Sequence, residues 1–415
     1  MNAAGRQPEE QRVEGVTPVA CILVNYRSPW EMLSGCLDSI FANAGEVPVR
    51  VIVVDNASGD GIPARVSEAY PRVVVIDMPG NLGFAAAVNR GLEEAWEPYA
   101  LMLNTDALLT PGALESMVKT LGDAGDSVAG VAPKMMSSSH AGVIDAIGTV
   151  MPRWGASFNR GIGQCDLGQY DRSEQVAGVC FGAALLRRSL FEAEAIGPLY
   201  EGYFLYFEDA DWCMRAVSCG YSFMTAPGAE VLHLHSGVTR NESHEFKYRL
   251  IELNTLKMVT RTFGSGRGAA RIVCARSYRL LARTFIRRRM IRANLATLAS
   301  YLAQLPRLLA ERRQLKLRRV ASDQPIFELA EGEHAYFDTV QYRPDRCLES
   351  LIDTYLRLLG QRQDPNLGKI LAALYHLQLE SSRGVAPALT PGLRELFAGQ
   401  PQCARDLLET ITPGS

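Results

Sequence analysis

Four short apolar runs punctuate the first hundred residues, at 19–24, 51–54, 73–76 and 100–103. Each is nearly continuous rather than alternating. Strands covered by helices on both faces read this way, so the runs predict a parallel sheet. Helical patterns fill the gaps. Ser28, Pro29, Trp30 and Glu31 supply a cap, a first-turn proline and a capping-box acid. Asn81 is placed to cap a helix running to about Trp96, and Thr110-Pro111 to open another. A β-α-β-α series that binds ligands at the carboxyl ends of its strands is the expected result. From 128 to 150 the pattern shortens and becomes Gly-rich, which predicts a change of sheet direction. Residues 176–186 read as a further strand, 208–219 as a helix stopped by Gly220, and 231–235 as the end of the unit.

The chain has 415 residues, room for two or three domains. Residues 1–17 are polar and read as a disordered tail without an apolar signal segment. Residues 18–262 form the α/β unit. Gly264-Ser265-Gly266 marks a boundary, after which 263–322 read as a basic amphipathic helical region and 323–415 as a small helical domain. No run reaches the ~18–20 apolar residues that span a bilayer. The longest uncharged segment, 293–306, suits an interfacial or buried helix instead.

Composition changes this picture at two points. The nine cysteines are an odd number with no C-x-x-C pair. Cys21, Cys36, Cys180, Cys213 and Cys219 sit among apolar residues and read as small core residues. That pattern favours a reducing, cytoplasmic compartment over a disulfide framework or a zinc site. The net charge of −2 conceals a strong asymmetry: residues 265–320 hold fifteen Lys/Arg against one acid, Glu311, so that stretch is +14 and the remainder −16. Arg283, Arg292, Arg312, Arg313 and Lys316 lie in clusters flanking the uncharged 293–306 segment. This arrangement suits an anionic membrane surface, at roughly 1 kcal/mol per basic residue. A basic helix pair packing on the acidic remainder of the chain is the alternative. Aromatic interleaving is too sparse for a nucleic-acid surface.

Candidate chemistry collects at strand ends. Asp55, closing the second apolar run, can accept hydrogen bonds from a ribose or base, or cap its own turn. Asn81 and Gly83 open a helix whose amides can approach a nucleotide or phosphate, with Asn89 two turns on; an ordinary cap explains them equally. Asn104 and Asp106 end the fourth run, and one carboxylate there can hold a divalent cation whose other ligands are diphosphate oxygens and water. Glu208, Asp209 and Asp211 follow an aromatic run, 203–207. A carboxylate against such a wall can serve as a general base. Acids also stabilise a helix N-terminus, and Asp211 with Arg215 makes an i,i+4 pair, so Asp209 is assigned to chemistry and Asp211 to structure. His233 or His235 can complete a metal shell.

In series, Val24-Asn25-Tyr26-Arg27, Val54-Asp55-Asn56-Ala57-Ser58, Asn81-x-Gly83-Phe84-Ala85 with Asn89 and Gly91, Leu103-Asn104-x-Asp106, Phe207-Glu208-Asp209-x-Asp211 with Arg215, and Pro227-x-Ala229-x-Val231-x-His233 resemble glycosyltransferase family 2. The resemblance is to its rhamnosyltransferase-like and galactofuranosyltransferase-like members and covers about residues 17–262. It implies a GT-A fold, Rossmann-like with a mostly parallel sheet flanked by helices, here followed by a C-terminal helical region. It also implies an inverting transfer from a nucleotide-diphosphate sugar to a glycan or lipid-linked acceptor, using Mg²⁺ or Mn²⁺. Asp209 matches the family's catalytic base, and Asp106 and His233 its metal ligands. Asn25, Arg27, Asp55, Asn81, Gly83, Asn89 and Asn104 match the donor side. Glu208, Trp212 and Arg215 are placed on the acceptor side. Tyr200 stands where an Asp is common. Other readings are a sugar nucleotidyltransferase, for which 25–30 lacks the basic Gly-rich phosphate loop, and a catalytically silent nucleotide- or glycan-binding protein.

Overall fold

A computed structural model describes residues 16–138, 142–162, 166, 170–234, 243–286 and 290–330. The tail at 1–15, His235 and nearly all of the expected C-terminal domain, 331–415, lie outside the described residues.

The first half alternates strand and helix: β1 (Val19–Asn25), α1 (Trp30–Asn43), β2 (Val49–Asp55), α2 (Ile62–Ala69), β3 (Val74–Asp77), α3 (Phe84–Glu94) and β4 (Tyr99–Leu103). β1 pairs in parallel with β2 and β4, and β2 with β3. Next come β5 (Ala107–Leu109), α4 (Ala113–Asp123), β6 (Val128–Ser137), β7 (Ile144–Ala146), β8 (Thr149–Val150), β9 (Phe158–Asn159), β10 (Gln175–Val176), β11 (Ala183–Arg187), α5 (Glu208–Ser218) and β12 (Ser222–His233). Four helices follow: α6 (His244–Thr262), α7 (Gly266–Ile286), α8 (Ile291–Arg318) and α9 (Gln324–Ala330). Among the described residues the main sheet runs β10-β12-β6-β11-β4-β1-β2-β3, with β5 on β12 and β7 on β6. β6 and β12 are parallel, while β11 is antiparallel to both neighbours and β7 turns back on β6. The change of sheet direction thus enters at β7 and again at β11.

The continuous apolar runs are explained by burial on both faces. Val19, Cys21 and Leu23 of β1 point into a cluster with α1, α2 and α4. Ile22 points the other way, into a cluster with α3, α5 and α6. Trp212 lies at the heart of that second cluster, fully buried and stacked on Phe191 with ring centroids 4.4 Å apart.

Local signals yield to tertiary partners in four places. α1 starts at Trp30 without a side-chain cap, because the Ser28 hydroxyl is hydrogen-bonded to that of Thr105, 2.9 Å away. α3 starts at Phe84 rather than beside Asn81, and the Phe84 amide donates to the carbonyl of Phe204. The expected strand at 176–186 is divided: β10 ends at Val176, β11 begins at Ala183, and the turn between them reaches the rim of the sheet. The expected boundary near Thr262 is a turn within a packed body. Leu256 of α6, Leu280 of α7, and Tyr301 and Leu308 of α8 share one apolar cluster.

The helical layer is joined to the sheet layer by buried charge. Asp211 accepts from Arg215 Nε (2.9 Å) and Tyr203 Oη (3.0 Å), and also from Arg261 of α6. Arg261 continues to Glu311 of α8. Burial alone would raise the Asp211 pKa, but the Arg261 and Arg215 guanidiniums outweigh it and hold the carboxyl below its ordinary value. Removing one member of such a cluster strands buried charge. Asp211→Asn is therefore expected to destabilise the chain by about 3–5 kcal/mol in urea unfolding followed by circular dichroism; a loss under about 1 kcal/mol would show that the cluster does not hold the layers together.

Candidate active site

The carboxyl ends of β1, β2, β4, β6 and β12 meet at one rim, and the turn before β11 and the N-terminus of α5 reach the same place. They enclose a cavity of about 860 Å³. Asn81, Gly83, Asn104, Asp106, Glu208, Asp209 and His233 all line it, although more than 150 residues separate the first from the last. Tyr26 and Asn56, not singled out by the sequence, line it as well.

Six expected site residues do not line it. Asn25 donates to Asp55 (2.5 Å), and Asp55 accepts from the Ser58 amide and hydroxyl. The pair ties the ends of β1 and β2 together and presents Tyr26 and Asn56 rather than itself. Arg27 is exposed, in a left-handed turn with φ 55°, and donates to the Ser58 carbonyl. Asn89 uses its amide on the Leu199 backbone and on Glu201. Trp212 donates to the Gly197 carbonyl, and Arg215 to those of Ile196 and Pro198. Asn89, Trp212 and Arg215 thus hold the 196–201 loop, and none of the three lines the cavity. Cys180, expected in the core, lines the cavity half-buried. Burial and the Asp209 charge raise its thiol pKa, which removes it as a thiolate nucleophile.

The acidic pair is delivered by a strained turn. Tyr206 and Phe207 both adopt left-handed backbone, φ 70° and 75°, immediately before α5. Two bulky residues do so only when their surroundings over-determine it. Asn254 of α6 does this by donating to the carbonyls of Leu205 and Tyr206 (2.8 and 2.9 Å), and Lys257 donates to that of Gly202. Gly83 completes the clamp: a Cβ there would lie 2.3 Å from the Phe204 carbonyl oxygen. No sequence pattern marks Asn254, because its partners are backbone atoms 48 and 49 residues away.

Burial raises the Asp209 pKa above its ordinary value, against the lowering effect of the Ala210 and Phe181 amides that its oxygens accept. Glu208 is pushed up to about 8, first by burial and then by the Asp209 charge. Its Oε2 is buried without a hydrogen-bond partner, which fits a protonated carboxyl at neutral pH.

On the opposite wall, His233 Nε2 lies 3.3 Å from Asp106 Oδ1, and Nδ1 lies 2.8 Å from Asp145 Oδ2. Burial alone would lower the His233 pKa, but the bonds to Asp106 and Asp145 outweigh it and raise it to about 10. Among the described residues no three acids, histidines or cysteines form a metal cage. The donor set nevertheless fits a hard divalent cation of the kind that draws most of its ligands from diphosphate and water. One carboxylate oxygen and one imidazole nitrogen converge, and a second carboxylate fixes the ring from behind. A cation on Nε2 requires the neutral imidazole, so its binding would release the proton. Asp145 is the orienting partner that sequence reading missed; its signal is a lone acid inside the apolar run 143–147.

The α/β sheet, of GT-A type, gathers carboxylates, amides and a histidine at its carboxyl rim. The chain matches the sequence profile of Glycosyl transferase family 2 over residues 20–194. It is 31% identical over 245 residues to the N-acetylglucosaminyl-diphospho-decaprenol L-rhamnosyltransferase of Mycobacterium tuberculosis, covering 52% of this chain and 76% of that protein. It is 30% identical over 118 residues to the succinoglycan biosynthesis protein ExoO of Rhizobium meliloti, 28% of this chain and 33% of that one. The fold superposes on the crystal structure of GalNAc-T7 with UDP, GalNAc and Mn²⁺ at TM-score 0.52 and 12% identity, covering 80% of this chain but only 59% of that one. The chain belongs to glycosyltransferase family 2 and is a glycosyltransferase.

The Glu208 shift has a stability consequence. Its folded pKa lies above the ordinary 4.5, so its contribution is full below about pH 4.5 and is lost as pH rises through about 8. Denaturant titrations from pH 4 to 9 should show Glu208→Gln flattening this decline and gaining on the native chain at the alkaline end; identical slopes would contradict a protonated Glu208.

Proposed function

We propose that the chain transfers a sugar, rhamnose or another hexose, from a nucleotide-diphosphate donor to a hydroxyl of a lipid-linked glycan, with inversion. The observation that carries this reading is the meeting of Asp106, His233 and Asp209 around one cavity. Asn81, Asn56 and Tyr26 line the donor end, where their polar groups suit a nucleotide. Asp209 takes the proton of the acceptor hydroxyl as that oxygen bonds to the anomeric carbon, and the bond from that carbon to the diphosphate oxygen breaks on the far side. A raised pKa suits a base working near neutrality, and ionisation of Asp209 sets the acidic limb of the rate profile. Leu205 and Phe207 line the same cavity. Asp106 and His233 would hold Mg²⁺ or Mn²⁺, which when bound neutralises charge on the leaving diphosphate. Such a cation would also offset the charge of Asp106 and Asp209, which would otherwise repel a diphosphate.

The acceptor reading draws on the relative named for N-acetylglucosaminyl-diphospho-decaprenol and on the basic helices. Among the described residues no helix is long and apolar enough to cross a membrane. Leu295, Leu302 and Leu309 recur every seven residues as an exposed stripe on α8, with Arg292, Arg313 and Lys316 exposed on the same helix. Part of the positive charge is neutralised internally, as in Arg307 with Glu311 and Arg319 with Asp323. The remainder suits the anionic headgroups of a cytoplasmic membrane face, on which the protein would lie peripherally to meet a lipid-linked substrate.

Asp209→Asn should lower transfer at least about 100-fold while leaving Mn²⁺-dependent binding of UDP, dTDP or GDP unchanged by calorimetry. Unchanged transfer would reject Asp209 as base. The chain should also sediment with phosphatidylglycerol vesicles and not with phosphatidylcholine, and Arg292→Glu with Arg313→Glu should cost at least about 1 kcal/mol per residue. Equal sedimentation with both lipids would remove the membrane from the proposal.

A further inference from the structure

The aromatic run 203–207 is divided between two environments. Tyr203 is fully buried against Asp211, and Phe207 is 9% exposed. Phe204 stays 40% exposed and lines the cavity. Leu82 is exposed as well. The Phe84 amide donates to the Phe204 carbonyl (2.9 Å), so the segments that carry Leu82 and Phe204 meet at the cavity rim. Apolar side chains scattered singly over a surface need no explanation. These two stand on segments joined at the entrance to a substrate site.

The Phe204 ring is carried on backbone held on both sides of the residue. Lys257 donates to the carbonyl of Gly202, and Asn254 to those of Leu205 and Tyr206. Gly83 packs so closely that a Cβ there would lie 2.8 Å from the Phe204 Cα. The same turn runs on to Asp209, in the first turn of α5. One clamped turn therefore carries both an exposed ring and the candidate base. The face of an aromatic ring is electronegative and attracts polarised C–H groups. A pyranose presents such groups where its axial C–H bonds point to one side, and keeps its hydroxyls around the edge. A ring on fixed backbone binds that face with little ordering cost.

The two substrates differ in what else can hold them. On the transferase reading, charge at Asp106 and His233 anchors the donor diphosphate, and the donor sugar is tethered to it. The acceptor sugar is neutral and depends on apolar contact and hydroxyl hydrogen bonds. A ring still 40% exposed at the entrance meets the substrate that enters after the donor is seated. We propose that Phe204 is the platform on which the pyranose ring of the acceptor stacks, turning one of its hydroxyls toward Asp209. This rests on the transferase reading and extends it to how the second substrate is recognised. Because platform and base share one turn, stacking also sets the distance over which the proton passes.

The test is saturation-transfer NMR on the full chain with Mg²⁺ and a saturating concentration of whichever of UDP, dTDP or GDP binds, so that the donor end is filled. The probes are the methyl β-pyranosides of glucose, galactose and N-acetylglucosamine. Saturation should pass to the axial C–H protons of at least one of them. Phe204→Ala should weaken that pyranoside about three- to tenfold and leave the nucleoside diphosphate unaffected. Phe204→Trp, which keeps a ring, should retain binding, and its added indole emission should shift when the pyranoside is supplied, a signal that misfolding cannot produce. Native chain that binds the nucleoside diphosphate but none of the pyranosides, or Phe204→Ala that binds them as the native chain does, would overturn the platform and leave the transferase reading standing. A weaker nucleoside diphosphate in Phe204→Ala would assign the ring to the donor and overturn it too. If none of the three nucleoside diphosphates binds, the transferase reading fails and the platform with it.

Discussion

The arrangement hangs on one buried carboxylate. Asp211 is fully buried, yet it remains charged because Arg215, Arg261 and Tyr203 satisfy it from three directions. Each partner belongs to a different part of the structure. Arg215 continues to the carbonyls of Ile196 and Pro198 and so fixes the loop before Tyr203. Arg261 brings in α6 and, through Glu311, α8. Tyr203 begins the turn that carries the acids. A carboxylate in a dry interior tolerates no loosening of these contacts, since any gap leaves charge without solvent or partner. The cluster therefore gives the helical layer and the sheet layer a single relative position, which the directionless packing of apolar side chains does less sharply.

That fixed position makes the strained turn at Tyr206 and Phe207 affordable. Left-handed backbone at two large residues costs of order 1–3 kcal/mol each. It persists because Asn254 and Lys257, on the helix that Asp211 docks, take up the carbonyls of Leu205, Tyr206 and Gly202. The strain aims Glu208 and Asp209 into the cavity from the first turn of α5. Burial raises the pKa of both, Glu208 to about 8, while two amides hold the Asp209 carboxyl. Helix α6 is thus a structural part of the site.

Much of the scaffold was legible along the chain. The four apolar runs became β1 to β4 because hydrophobic continuity reports burial on both faces, a property that needs no knowledge of partners. The acids of 208–211 and the strand-end residues Asn104, Asp106 and His233 stood out because polar groups directly after buried strands have to face the rim. Legibility failed where a residue's partner is remote. Asn25, Asp55, Asn89, Trp212 and Arg215 carry the residue types of a binding site, yet each is occupied with another part of the protein. Ser28 and Asn81 look like helix caps, but distant groups compete for them.

The sequence by itself determined the β-α-β order, the placement of carboxylates at strand ends and the segregation of positive charge into 265–320. These follow from periodicity and composition, which are local. The tertiary structure alone decided which of the polar residues face the cavity and which brace its walls, and that Asp145 stands behind His233. Such choices depend on contacts between residues tens to hundreds of positions apart. They are settled by which buried polar group finds its partner once the layers close, not by the pattern of the chain.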